Sequence, residues 1–577
     1  MTVARDPHAG LRCLIVALVA VCLFGACSKP SSTTPTTPPT RLTLGVTAEP
    51  SSLVPFFGGS AADSEVSGFL FRELVVHTSE GVRGDLAARV PVIGDGAVVD
   101  GQGRLVVSWA LVPGARWTDG TAVTSRDVVA GWKVATDEAQ PITAGRDQQK
   151  RIERIDVVGD THFVVTWKDA APGFAAPRVH RVLPAHLVLD EQGAPKNLAA
   201  SGFLRRPIGN GAYVLAEEVP GAHLRLVRRK DTGGEPSSHR PPDEVLVRVV
   251  PSTEALTSAL IAGDVDATLP HVGLSPIDAA RLVADHPDRF TVARAPGTTW
   301  AHLDFNLDDV ALKDARVRRA FAHAVDRVAI VSAIAGDAYD VDEGFLPRHH
   351  PARMALPRVV VDHARAEALL DEAGYKRPSP GAMRTDAGGK PWRVQLASAS
   401  GQRDTERLLQ LVQADLAKVG VDVALDLRPF KVFFAEGAKK RKLPHLAFYA
   451  WTVDADSTGG SLWRADRIPS EANGWSGLNL PGWRDDDVTR ALTEADATLD
   501  DAVRARALAL AQERFHEGLP ALSFYFRPTV VVARVGVTGI SPTGTPTPAA
   551  ALSSTWQVDP PAHRPANAGV VDGGPRP

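Results

Sequence analysis

The sequence predicts a mixed α/β protein of two lobes, on three observations. From Arg41 onward, strand-like alternation and helix-like periodicity take turns along the chain. Helices close at glycines placed for a left-handed cap, at Gly263, Gly374 and Gly420, and the chain then returns toward strands. No segment of about 20–50 residues repeats, which excludes solenoids and propellers. The length of 577 residues corresponds to about three or four ordinary domains and allows a large core. A formal net charge of −3, with no polybasic run, argues against nucleic acid or an anionic membrane face as partner.

The first elements are an address. Arg5 and Arg12 precede an apolar run over residues 13–24 and then Gly25-Ala26-Cys27, the layout of a secretory signal. Leu23-Phe24-Gly25-Ala26-Cys27 resembles a bacterial lipobox, with Phe24 an unusual third residue before the cysteine. Residues 1–26 are therefore expected to be removed and Cys27 lipidated. A plain signal peptide that leaves Cys27 free is the other reading. Cys13 and Cys22 lie in the removed part, so the mature chain has no intrachain disulfide to lean on. Residues 27–40, rich in Ser, Thr and Pro, read as a disordered tether below the anchor. No later stretch approaches about 18 uninterrupted apolar residues, so no internal membrane span is expected.

In the body, residues 42–46 alternate as a strand and residues 105–111 form another, ended by Pro113-Gly114. Thr124 is placed to cap a helix running through Val134, with Asp127 reaching back as in a capping box. A capped amphipathic helix with Leu256, Leu260 and Ile261 on one face stops at Gly263. Residues 314–334 carry the clearest helical pattern, with Val317, Phe321, Ala324, Val325 and Val328 on one face and Arg316, Arg318, Arg319 and Asp326 largely off it. Helices over 365–372 and 405–418 follow, the second leading into a strand over 421–427. Residues 559–577 are expected to be a disordered tail.

Catalytic motifs are absent. There is no Gly-x-Ser-x-Gly elbow and no His-Glu-x-x-His. Gly388-Gly389-Lys390 runs into Pro391 without the glycine of a phosphate loop, and Gly209-Asn210-Gly211 lacks a third glycine. The expected protein is not an enzyme and needs no cofactor. The adjacent His349-His350 reads as an exposed loop pair rather than as metal ligands. Asp485-Asp486-Asp487 reads as a helix start, since it lacks the interleaved spacing of a calcium loop.

Several segments carry a resemblance. They include Pro113-Gly114-Ala115-Arg116-Trp117-Thr118-Asp119-Gly120, Pro207-Ile208-Gly209-Asn210-Gly211-Ala212-Tyr213, Phe305-Asn306, and Leu312-Lys313-Asp314-Ala315-Arg316-Val317-Arg318-Arg319-Ala320-Phe321. In this order, behind a lipobox, they resemble family 5 of the solute-binding proteins of bacterial ABC importers, whose ligands are oligopeptides, dipeptides and nickel. Residues 430–434 and Trp451-Thr452-Val453-Asp454 resemble the oligopeptide-binding members most.

The resemblance implies a two-lobed periplasmic-binding-protein-like clamp (type II, cluster C) with an extra small domain. Lobe I would comprise residues 41–71, 204–300 and 515–558, the small domain 72–203, and lobe II 301–514. The lobes would close on a peptide by hinge motion. The protein would be a monomer at the periplasm or cell surface, held to the membrane by its N-terminal lipid alone, and would deliver cargo to an ABC permease driven by a separate ATPase.

By the same resemblance the peptide's α-ammonium pairs with Asp454. The residues after it differ from the family's pattern, which leaves Asp456 as the alternative. Phe430, Trp451, Trp300 and Trp463 are the expected pocket walls, whereas Trp117 and Asp119 are read as structural. Other expectations stay open: the same fold holding a nickel chelate, haem or an oligosaccharide, a peptide sensor or chaperone outside transport, and a hydrolase using paired carboxylates.

Overall fold

The computed structural model describes residues 40–559 except 79–80, 143–144, 177–179, 231–240, 454–455 and 546. The expected signal peptide, Cys27, the tether up to residue 39, Asp454 and the tail beyond Asp559 lie outside the described residues. Among the described residues no helix is long and apolar enough to cross a membrane.

One ten-stranded sheet joins the two lobes. Across it the strands run Asp422–Arg428, Arg393–Ala399, Leu446–Thr452, Phe290–Phe305, Ala521–Arg534, Ala267–Thr268, Arg41–Val46, Glu244–Val249, His223–Arg228 and Tyr213–Val219. Two of them are long enough to belong to both lobes. Phe290–Phe305 and Ala521–Arg534 pair antiparallel from Phe290↔Arg534 to Asp304↔Ala521. At one end their side chains join a core with Leu256, Leu260 and Leu282; at the other they join cores around Phe321 and around Trp463.

Between the two ends the register slips, after Ala295 and before Thr299. Pro296 and Pro528 flank the slip, and neither can donate to a ladder. A Cβ on Gly297 would stand 1.7 Å from the Arg527 carbonyl oxygen, so only glycine fits there.

The opening strand Arg41–Val46 pairs in parallel with Glu244–Val249, and Leu42, Leu44 and Val46 are fully buried. The helix Ala61–Leu70 starts with a capping box made by Ser60 and Asp63. Its Phe69 ring meets Trp556 edge to face at 5.5 Å, so the end of the described chain completes the core begun by its first strand.

Residues 92–167 contribute a separate five-stranded sheet, covered by the helix Ser125–Thr136. Thr124 and Asp127 make the expected capping box. Asp127 also accepts from Trp117 Nε1 at 3.2 Å and from the Ala185 amide at 2.8 Å, which gives Trp117 its structural role.

Beyond Phe305 the sequence expectation needs one correction. The single helix expected over 314–334 is two, Ala315–Ala324 and Arg327–Ala335. Val325 is extended, and the Asp326 carboxylate caps the second helix by accepting from the Ala329 amide at 2.9 Å. The Asp326 amide donates to Asp415 at 2.9 Å. The turn moves Val328 off the shared face, where it is 48% exposed. Arg318 is buried instead, its guanidinium donating to the carbonyls of Leu312, Lys313, Gly518 and Leu519.

The helices His363–Glu372 and Arg403–Lys418 end near Gly374 and Gly420, both at positive φ. Asp485 caps the helix Asp486–Ala497, accepting from Val488 N–H at 3.0 Å.

Candidate functional site

The strand Leu446–Thr452 leads to the site. Side chains alternate along it, so Tyr449 and Trp451 share one face. The preceding segment Val432–Ala438 is a π-helical turn that buries Phe433 and turns Phe434 toward the same face. Phe434 lies 5.9 Å from the Trp451 ring and 4.8 Å from Phe430, and Phe430 is 66% exposed. Phe430, Phe434 and half-buried Trp451 thus form a continuous aromatic surface open to solvent at one end.

Trp300 and Trp463 are corrected from pocket walls to core. Trp300 is 0% and Trp463 2% exposed. They pack edge to face at 5.9 Å, and Phe515 contacts both. Trp300 Nε1 donates to Ser523 Oγ at 2.7 Å, which satisfies its polar atom inside the protein. In the ladder Trp300 lies directly opposite Trp451 and on the same face of the sheet, and it is the packing of Trp463, Phe515 and Phe526 against its ring that buries it.

Behind the aromatic surface lies a buried polar row. His302 stacks on Trp300 at 3.9 Å and meets Tyr449 edge to face. Its Nδ1 is 3.2 Å from the Trp300 carbonyl, which assigns the proton to Nδ1 and leaves Nε2 an acceptor. Tyr449 Oη donates to Asp304 Oδ2, and Asp304 Oδ1 stands 3.4 Å from His302 Nε2. Burial pushes Asp304 up to about 8 and His302 down to about 3. Both are therefore neutral near pH 7, with the carboxylic acid proton facing the imidazole.

The segment after Trp451 carries a second acid. Asp454 is outside the described residues, but Asp456 is described and half-buried. Its main-chain carbonyl accepts from Arg504 Nη2 at 2.8 Å. Its carboxylate faces the segment that holds Gly173, where a Cβ would stand 3.3 Å from Oδ2. It also acts electrostatically on His77, in the strand Val75–Thr78, and on His350.

The expectation of an exposed His349-His350 loop pair is corrected as well. His350 is 4% exposed, and its Nδ1 accepts from the Ala352 amide at 3.0 Å. Burial first, then the Arg504 charge, push it down to about 4. His349 has both ring nitrogens buried without a hydrogen-bond partner, and burial and the nearby His77 lower its pKa. No sequence signal announces that Asp456 acts on His77 and His350, or His77 on His349, since the three segments are distant in the chain. Among the described residues no group of three or more His, Cys, Asp or Glu is arranged to hold a metal ion.

Comparison with known proteins bears on this geometry. Residues 100–467 match the family described as bacterial extracellular solute-binding proteins, family 5 middle. Among curated proteins, the chain is 25% identical over 281 residues to the nickel-binding periplasmic protein of Escherichia coli (strain K12). That alignment covers 48% of this chain and spans about half, 51%, of that relative. It is 21% identical to the oligopeptide-binding protein AppA of Bacillus subtilis (strain 168), over 84% of this chain and 86% of that one. Among solved structures, the oligopeptide binding protein from Thermus thermophilus, complexed with a pentapeptide, superposes with a TM-score of 0.67 at 24% identity. That superposition covers 90% of this chain and 96% of the other, and the likeness shows a shared two-lobed fold.

Proposed function

The chain belongs to the family 5 bacterial extracellular solute-binding proteins, and from that premise we propose that it is the lipid-anchored peptide receptor of an ABC importer. The family's proteins are extracytoplasmic binding components of such importers and take peptides or related ligands. In this reading the mature protein hangs from lipidated Cys27 at the periplasm or cell surface. It works as a monomer and hands its peptide to a permease driven by a separate ATPase.

Residues 41–71, 204–300 and 515–558 act as one lobe, extended by a small domain over 72–203, and residues 301–514 act as the other. Peptide lies between them, and closure turns on the register slip around Gly297. Main-chain hydrogen bonds give affinity without reading side chains. Phe430 and Trp451 wall the side-chain pockets, helped by Phe434. The α-ammonium pairs with an acid of the segment 454–456.

The observation that carries the peptide reading is the half-buried Asp456 carboxylate, set opposite Gly173 of the small domain and five residues along the chain from Trp451 of the open aromatic surface. A carboxylate so placed suits a cation brought in with a ligand. Asp454, two residues earlier, is the partner that the family resemblance favours.

Native mass spectrometry of residues 28–577, purified from rich medium without refolding, tests the reading directly. A ladder of co-purified short peptides is the expected result. A single nickel-chelate, haem or sugar mass would keep the fold and replace the ligand. Replacing the true ammonium partner, by Asp454→Ala or Asp456→Ala, is expected to weaken peptide binding by about 2–5 kcal/mol. An effect under about threefold removes that residue from the role.

A further inference from the structure

The ladder between Phe290–Phe305 and Leu446–Thr452 sets His302 opposite Tyr449 and Asp304 opposite Ala447. Residues paired in this way share a face, so the buried polar row runs beside the strand that carries Trp451. Ala447 offers only a methyl group, which leaves Asp304 room to reach diagonally to the Tyr449 hydroxyl.

Tyr449 is 6% exposed, so its ring lies under the aromatic surface rather than in it. It meets Phe434 edge to face at 5.5 Å and Trp451 edge to face at 5.5 Å. It also meets the His302 ring at 4.6 Å. Tyr449 therefore joins two rings of the open surface to the buried row. Apolar contact alone lets a ring slide; a hydrogen bond at its far end fixes its reach and its plane. Burying a carboxyl, an imidazole and a phenol together carries a desolvation cost that three apolar groups would not. What the polar groups add is direction.

Resting on the peptide reading above, we propose that Asp304, acting through Tyr449, is a positioning residue of the ligand site and sets its preference for peptides with large apolar side chains. Neither residue touches the peptide. A peptide of Ala, Ser and Gly is held by its main chain and its ammonium, and gains little from where the rings stand. A Phe, Tyr or Leu side chain has to fit against Phe434 and Trp451, so its affinity follows their placement.

The charge on Asp304 enters the same geometry. Burial keeps the group neutral up to about 8, with its proton facing His302 Nε2 at 3.4 Å. Once ionised, its Oδ1 and the Nε2 lone pair repel, and the row must shift. The other groups that face it are Tyr449 and, lining the same cavity of about 320 Å³, Arg441 and His445. Arg441 is engaged by Asp308 at 2.6 Å and by the Leu480 carbonyl at 3.0 Å, and burial favours the neutral form of His445. Binding of apolar peptides thus favours the protonated acid, and their advantage is lost as the pH rises through about 8.

The test uses the mature chain, residues 28–577, with two hexapeptide pools, one rich in Phe, Tyr and Leu and one of Ala, Ser and Gly. Competition is read by native mass spectrometry at pH 6.5 and 9, with thermal melting alongside. Tyr449→Phe keeps the ring and loses the bond; it is expected to lose about fivefold for the apolar pool and less than about twofold for the small one. Asp304→Ala should match it, and the double variant should be no worse than either, since the two act as one unit. Asp304→Asn restores an acceptor without a charge and should recover the wild-type preference. Between pH 6.5 and 9 the preference should fall in the wild type and stay level in Asp304→Asn; the peptide ammonium titrates alike in both and cancels.

Equal losses for both pools in Tyr449→Phe, or additive losses in the double variant, would overturn the inference and leave the peptide reading standing. So would a preference that falls with pH as much in Asp304→Asn as in the wild type, the comparison that decides if Tyr449→Phe melts too early to be read. A wild type that captures neither pool would overturn both.

Discussion

Asp304 shows what a single residue's surroundings decide. Its folded-state value of about 8 lies above the usual 3.8, so the folded protein keeps a proton that the unfolded chain has released. Stability from this group is full below about pH 4 and declines as the pH rises toward 8, by up to about 1.4 kcal/mol per unit. Asparagine would keep the Tyr449 contact by accepting through its Oδ1 and would place an N–H donor on the side of His302 Nε2, which stands 3.4 Å from the Asp304 oxygen it replaces. Asp304→Asn is therefore expected to match the wild type in denaturant midpoint near pH 4 and to exceed it progressively up to pH 8. Equal midpoints throughout that range would show that Asp304 ionises freely.

The aromatic residues mark the limit of reading at this scale. Phe430, Trp451, Trp300 and Trp463 look alike in sequence, each a ring near a strand or turn. Only the packed sheet shows that Trp300 and Trp463 face inward while Phe430 faces water. Burial of this kind depends on partners such as Phe515 and Ser523, which stand more than 200 residues from Trp300 in the chain.

Elements are more legible, because their signals are local. The Thr124–Asp127 capping box, the Asp485 cap and the glycines at 263, 374 and 420 mark helix ends within one turn of the residues that define them. The single helix expected over 314–334 fails for a reason equally local. Asp326 reads as a polar residue on an exposed face, but its carboxylate starts a new helix. Asp326→Ala removes that cap and is expected to cost about 1 kcal/mol in thermal unfolding, within a range of about 0.5–2. Asp326→Asn should cost a fraction of that. If both cost nothing, the break between the two helices is set by packing rather than by the cap.

For the molecule as a whole, alternating strands and helices suggest two lobes, but how the chain is shared between them is legible only through family resemblance. No local signal announces that Phe290–Phe305 will pair with Ala521–Arg534, since the contact closes a loop of more than 200 residues. The electrostatic influence of His77 on His349 is hidden for the same reason.

The register slip between the long strands carries a prediction at this scale. Gly297→Ala places a methyl against the Arg527 carbonyl, so the two strands must part there. The variant is expected to fold, since both lobes have separate cores, but with peptide affinity changed at least fivefold. Unchanged affinity together with unchanged small-angle scattering, with and without ligand, would place the pivot elsewhere.

The contact of Trp556 with Phe69 has a consequence for how the chain is made. A polypeptide emerging amino end first, from a ribosome or an export channel, exposes Leu42, Leu44 and Phe69 several hundred residues before Trp556 and the strand Ala521–Arg534 arrive to cover them. The core that holds Phe69 therefore cannot be finished until Trp556 is out. Premature folding is discouraged by the order of the sequence itself, and a nascent chain kept loose in this way remains fit to be threaded across a membrane.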